Sequence, residues 1–228
     1  MGQSYFTRDG FKFLTELKTH NTKDWFEANK ERYEAGLKSP GFQLVRNLEP
    51  ELAKVSKHLR IDTRGNGGSM SRIHRDTRFS KDKSPYKIGL FFHFYHEAGS
   101  QEGAPAYFMH VEPGATGVGC GIWRPAAPAL QKIRQAIVEA PDAWEKAKGK
   151  AAIGSACQMH GESLKNVPRG FDPAHPLAED LKRKDFGLSQ QMSDKELLGD
   201  TLVADLGKRF KAMAPFLGFL CEAVGLEF

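Results

Sequence analysis

Glycine takes every second place in the segment TGVGCGIW, at Gly117, Gly119 and Gly121, with Val118, Cys120 and Ile122 between them. Successive side chains of an extended strand point to opposite faces, so this pattern dictates one apolar face and one face with no side chains. Glycine also weakens a strand, which makes such a segment dependent on its neighbours. Two alternating, aromatic-rich segments stand just before it, YKIGLFFHFYH (86–96) and APAYFMHVEPG (104–114). Joined by the 97–103 and 113–116 connections, the three make an antiparallel meander the simplest topology.

Pairing the first two strands so that Phe94 meets Tyr107, Phe92 meets Met109 and Leu90 meets Val111 gathers six apolar side chains on one face. The opposite face then carries Gly89, Phe91, His93, Phe108, His110 and Glu112. Pairing Glu112 with Gly117, His110 with Gly119 and Phe108 with Gly121 adds the third strand. The expectation is a shallow trough floored by Gly117, Gly119 and Gly121 beside His110 and Glu112. Close approach of a ligand or of packed backbone are the two readings of such a floor. His110 and Glu112, two apart on a strand, can act as general base and orienting acid. They are also a histidine held by a carboxylate; a metal would need a third ligand, for which His93 shares the face and His74 and His96 are looser candidates, and the carboxylate-held histidine is preferred, so no metal and no cofactor is assigned.

Upstream of the first strand, SRIHRDTRFSKDKSPYK (71–87) holds Arg72, Arg75, Arg78, Lys81, Lys83 and Lys87 against only Asp76 and Asp82. Spaced about 10 Å apart in water, each like pair costs roughly 0.4 kcal/mol. Within about 6 Å at an effective dielectric of 20 the cost approaches ~3 kcal/mol, and an anion or carboxylate becomes necessary. Arginine forks suit phosphate or carboxylate, which makes Arg72, Arg75, Arg78 and Lys87 the candidate anion-binding residues. The competing reading ties the arginines to Asp76, Asp82 and backbone carbonyls.

The net charge of +5 is concentrated in this segment, and residues 88–228 hold 15 Lys/Arg against 17 Asp/Glu. That distribution favours a compact anion site over a track along a nucleic acid. Cys120, Cys157 and Cys221 are three in number and far apart, which suggests neither a disulfide framework nor a cysteine zinc site and fits a reducing cytoplasm. No apolar run approaches the roughly 20 residues of a membrane span, so no membrane partner is expected.

Helical periodicity frames the strands. Phe11, Leu14 and Leu17 fall at helical spacing, and Asn21 or Thr22 can cap a helix with the stripe Trp25, Phe26, Asn29 and Tyr33. Ser39 and Pro40 read as the start of a third helix with Leu44, Leu48, Leu52 and Val55 inward. APALQKIRQAIVEA and GDTLVADLGKRFKAMAPFLGFLCEAV follow the strands. Pro215 is expected to kink or divide the latter, and Ser193 with Glu196 fits a capping box. Helices, sheet, helices is an α+β order, with N-terminal helices, a central antiparallel sheet and C-terminal helices packed on it.

FLTELKTHNTKDWFEANKERYE, RIHRDTRFSKDKSPYK, MHVEPG, GCGIWRP and HPLAEDLKRKDF resemble, in that order, the DUF2461 family of bacterial and fungal proteins. The resemblance runs along nearly the whole chain and implies one family unit over residues 1–228; it brings no activity or catalytic residue with it. His74 stands where the resemblance leads one to expect an aromatic such as tyrosine. The expected function is binding of a small phosphate- or carboxylate-bearing ligand between the basic segment and the glycine floor, with hydrolysis or group transfer as the reaction His110 and Glu112 would serve. The alternative is a nucleic-acid-binding or interaction protein that uses the basic loop. Oligomeric state is not read from the sequence.

Overall fold

The structure, a computed structural model, describes residues 2–65, 67–98, 104–149 and 157–228. Its centre is a six-stranded antiparallel sheet in the order β1-β2-β3-β4-β6-β5. The strands are β1 (Leu59–Arg60), β2 (Leu90–His96), β3 (Ala106–Val111), β4 (Gly117–Ile122), β5 (Cys157–His160) and β6 (Phe186–Gln191). The first two long strands pair as the alternation requires, Leu90 with Val111, Phe92 with Met109 and Phe94 with Tyr107. Of the connection between them, residues 99–103 lie outside the described residues.

The third strand is displaced from its expected register by two residues. Gly117 pairs with His110, Gly119 with Phe108 and Gly121 with Ala106. The cause is a tight turn at Pro113–Gly114: Ala115 N–H donates to the Glu112 carbonyl at 2.9 Å, and Gly114 sits at φ 72°. A type II turn wants proline second and a left-handed glycine third, so the connection is two residues long rather than four. A shift of two leaves every side chain on its expected face.

Beyond β4 the sheet is completed by β6 and β5, two strands without an alternation that marks them in the sequence. Glycine in β4 follows from that neighbour. A Cβ on Gly119 would overlap both the Leu188 carbonyl oxygen and the Phe108 ring. On Gly121, at φ 143°, it would overlap the Phe186 carbonyl oxygen.

One face of the sheet is covered. Phe92, Phe94, Tyr107, Met109, Val118, Cys120, Phe186 and Leu188 are buried beneath helix α9 (Leu202–Val224) and its neighbours. Tyr107 donates its hydroxyl to the Phe210 carbonyl at 2.8 Å, with the two rings 4.6 Å apart. Each such side chain contributes roughly 2 kcal/mol on burial, which holds the glycine-weakened strands to the helical layer. Pro215 lies inside α9 without dividing it. Helices α4 (Ser39–Val55), α5 (Ala127–Glu139) and α6 (Pro141–Lys148) flank it, with Trp144 of α6 wedged 5.5 Å from Phe216.

The N-terminal helices are α1 (Arg8–Thr19), α2 (Lys23–Ala28) and α3 (Lys30–Tyr33), so the stripe expected on a single helix is divided at Asn29. A π-helical turn over Glu34–Lys38 carries the chain straight into α4, so Ser39 is helical at φ −62° and caps nothing. Thr22 caps α2, accepting from Trp25 N–H at 3.4 Å, and Asn21 is left free for another task. The short helices α7 (Ala178–Leu181) and α8 (Asp194–Leu197) complete the layer, and Ser193 and Glu196 form the expected capping box.

Candidate functional site

Asn21 grips the entrance to β2. Its side-chain amide donates to the Tyr86 carbonyl and accepts from Tyr86 N–H, both at 3.0 Å, while Phe26 stacks on the Tyr86 ring at 4.1 Å. Residues 73–87 fold back as an irregular hairpin: Lys87 N–H donates to Ile73 O at 2.8 Å and Arg75 N–H to Pro85 O at 2.9 Å. Lys87 is thereby fixed at the edge of the sheet, its Nζ 3.0 Å from Ser71 Oγ and 5.6 Å from the Phe91 ring centre.

The hairpin divides the basic residues into two groups. Arg75 is paired with Asp82, and Arg78 holds Asp76 at 2.7 Å. These arginines face their own loop, and both carboxyls are held down at about 2, Asp76 by Arg78 and Asp82 chiefly by Ser84 with help from Arg75. Arg72 and Lys87, by contrast, meet no carboxylate among the described residues. Burial, reinforced by the Arg72 charge, pushes the Lys87 ammonium below its ordinary pKa. Neither cation is in an ion pair among the described residues, although the Arg72 charge adds to the hold on Asp76. Phe79, at the hairpin tip, is 95% exposed with Arg78 over its ring.

On the open face the register sets out three rows. Phe91, His110, Gly117 and Gln191 form the first, His93, Phe108, Gly119, Ser189 and Gln158 the second, and Tyr95, Ala106, Gly121, Gly187 and His160 the third. His110 and Glu112 occupy the first-row end. His110 stacks on Phe91 at 4.4 Å, and its Nε2 lies 3.3 Å from Glu112 Oε2 without hydrogen-bond alignment. Glu112 itself lies 3.9 Å from Lys18 Nζ.

The second and third rows enclose a cavity of about 560 Å³ whose walls include His93, Tyr95, Phe108, Gly121, Trp123 and His160. Of the three trough glycines only Gly121 borders it, since Phe108 comes down over Gly119 and Gly117 lies a row away. His110 and Glu112 are not among its walls. Lys87 is not a wall either, but its charge reaches His93, which is.

The cavity depends on parts of the chain that carry weak sequence signals. Trp123 and His160 come from the ends of β4 and β5, and both chain exits are tied to one carboxylate. Asp185, buried just before β6, accepts from Arg124 N–H at 2.7 Å and from Glu162 N–H at 3.1 Å. The alternation LFFHFY does mark His93 and Tyr95 as sharing the open face. Nothing local marks His160, whose strand is four residues long.

Burial lowers the pKa of His93, His110 and His160. Unfolded histidines take up protons near pH 6.5. Between that point and the lower folded values the unfolded chain binds more protons, so stability rises with pH. Thermal melting followed from pH 7.5 to pH 5 should therefore show stability falling through about 6.5. His93→Asn should flatten the fall; an unchanged profile would remove His93 from the burial argument.

Among the described residues no group of three or more His, Cys, Asp or Glu side chains is arranged to hold a metal ion. None of the described helices is long and apolar enough to cross a membrane. The three cysteines are free.

Fold and site together define an α+β protein whose antiparallel sheet is roofed by helices on one face and bears a ring-lined cavity on the other. Residues 9–219 match the family described as conserved hypothetical protein (DUF2461), and the chain belongs to it. No curated protein and no solved structure matches the chain.

Proposed function

We propose that this protein binds a small phosphate- or carboxylate-bearing molecule on the open face of the sheet. The anion would meet Lys87 and Arg72, and the body of the ligand would lie in the cavity beyond His93. The observation that carries this reading is Lys87, a half-buried ammonium opposed by the charge of the exposed Arg72 and in no ion pair among the described residues, while Arg75 and Arg78 each have a carboxylate. Burying a charge with its pKa displaced lowers stability, and a site that tolerates the loss is a candidate for ligand binding. The reading is one of binding; His110 and Glu112 lie outside the cavity and are given no catalytic step. We place the protein in a reducing cytoplasm, in keeping with its free thiols.

Lys87→Met tests the proposal, because it should separate binding from stability. Removing a charge-assisted contact weakens anion binding by about ten- to a hundredfold. The same change removes a half-buried charge that the Arg72 charge opposes, so the unliganded protein should melt no lower than the parent. Calorimetric titration with phenyl phosphate reads the first effect and thermal denaturation the second. Equal affinity in parent and variant would end this assignment.

A further inference from the structure

The rings around the cavity say more about the ligand than the cations do. Phe108 and His160 stand 6.1 Å apart at 72°, and Trp123 lies 6.4 Å from His160. Across from them His93 and Tyr95 stack at 5.6 Å, inclined by only 11°. Glycine makes this arrangement possible. Any Cβ on Gly119 would strike the Phe108 ring, and any Cβ on Gly187 would strike the His160 ring, so both rings come down onto the sheet. Gly121 lies between them in the strand order, partly exposed, with Ala106 beside it on β3. The floor therefore has almost no relief, and what rises from it is aromatic.

A flat body fits such a space, because aromatic faces and edges gain most from contact with another ring. A puckered or branched body would touch the floor at a few points and leave the ring faces unfilled. The polar side-chain groups of the walls include the imidazoles of His93 and His160 and the hydroxyl of Tyr95, each able to donate or accept a hydrogen bond, and the Trp123 indole N–H, which only donates. Groups of that kind suit the edge of a ring bearing nitrogen or oxygen. The volume of about 560 Å³ leaves room for one or two fused rings with a substituent. Resting on the anion-binding reading above, we infer that the ligand is an aromatic or heteroaromatic phosphate or carboxylate, its ring lying over Gly121 against Phe108 and Trp123 and its anion directed toward Lys87.

Trp123 supplies the readout. It is 59% exposed and borders the cavity, whereas Trp144 is fully buried and Trp25 packs on Phe13 and His20 outside the cavity walls, so a ring entering the cavity should quench Trp123 emission directly. Fluorescence and calorimetric titrations with phenyl phosphate, cyclohexyl phosphate and phenol form the test. Phenyl phosphate should bind about tenfold more tightly than cyclohexyl phosphate and quench emission. Trp123→Phe, which leaves a smaller ring at that wall, should abolish the quench and narrow the preference for phenyl phosphate over cyclohexyl phosphate. If the two phosphates bind equally, ring selection is overturned and the anion site stands. If phenol binds as tightly as phenyl phosphate and cyclohexyl phosphate does not bind, ring selection stands and the anion site falls. If none of the three binds, both are overturned.

Discussion

Gly121→Ala should lower the melting midpoint by about 10 °C, while Gly65→Ala leaves it within about 2 °C of the parent. At position 121 the added methyl has nowhere to go. It would overlap the Phe186 carbonyl and lie 2.9 Å from Gly187 Cα, and the φ of 143° is itself one that L side chains rarely adopt. Backbone strain of about 1–3 kcal/mol adds to overpacking of about 1–3 kcal/mol, roughly 4 kcal/mol together. For a chain of this size each kcal/mol moves the midpoint by about 2–4 °C. Around Gly65 there is nothing within 4 Å of the new methyl, so only the unfolded chain's entropy changes. Differential scanning calorimetry on both variants decides the matter. A Gly121→Ala protein that melts with the parent would mean β6 does not lie against β4 as described.

The contrast between those two glycines marks the boundary of what the sequence carries. A period of two fixes which side chains share a face, and it did so for Leu90 to Phe94, Tyr107 to Val111 and Val118 to Ile122. Period alone does not fix register: the Pro113–Gly114 turn does, and reading it as part of a four-residue loop displaces β4 by two places. Nor does period reveal a neighbour more than sixty residues away. FGLSQQ ends in polar residues because β6 runs out toward solvent at Gln191, and CQMH is too short to show any alternation. Without those strands the glycines look like an open trough, whereas Phe108 and β6 account for Gly119 and the cavity begins only at Gly121. The basic segment was legible as a concentration of charge. Its division was not, because Arg75 reaches Asp82 only once the hairpin has closed. Ser39 misled for a local reason. Serine before proline is an ordinary helix start, but here the chain arrives already helical through the π-turn.

Asp185→Ala should cost about 4 kcal/mol in stability and open the cavity in the same stroke. Both carboxylate oxygens are in use on main-chain donors, Oδ1 on Arg124 N–H and Oδ2 on Glu162 N–H. Hydrogen bonds to a charged acceptor contribute about 1.5–3 kcal/mol each, and here their loss leaves two amides without partners. Arg124 adds to the cost. At φ 48° it is the one non-glycine residue with positive φ among the described residues, a conformation that persists only where the surroundings impose it. Once released, Arg124 frees Trp123 from one wall and Glu162 frees His160 from the other. Asp185→Asn keeps one acceptor and should lose about half as much. Glu179→Ala, which removes only an exposed partner of Lys182, should cost under about 0.5 kcal/mol. Urea unfolding gives the energies, and acrylamide quenching of Trp123 reports the wall, with greater quenching expected in Asp185→Ala than in Glu179→Ala. Unchanged stability together with unchanged quenching would show that the two exits are held by something other than this carboxylate. A loss of stability without any change at Trp123 would confine Asp185 to the fold and leave the cavity to be shaped by the rings alone.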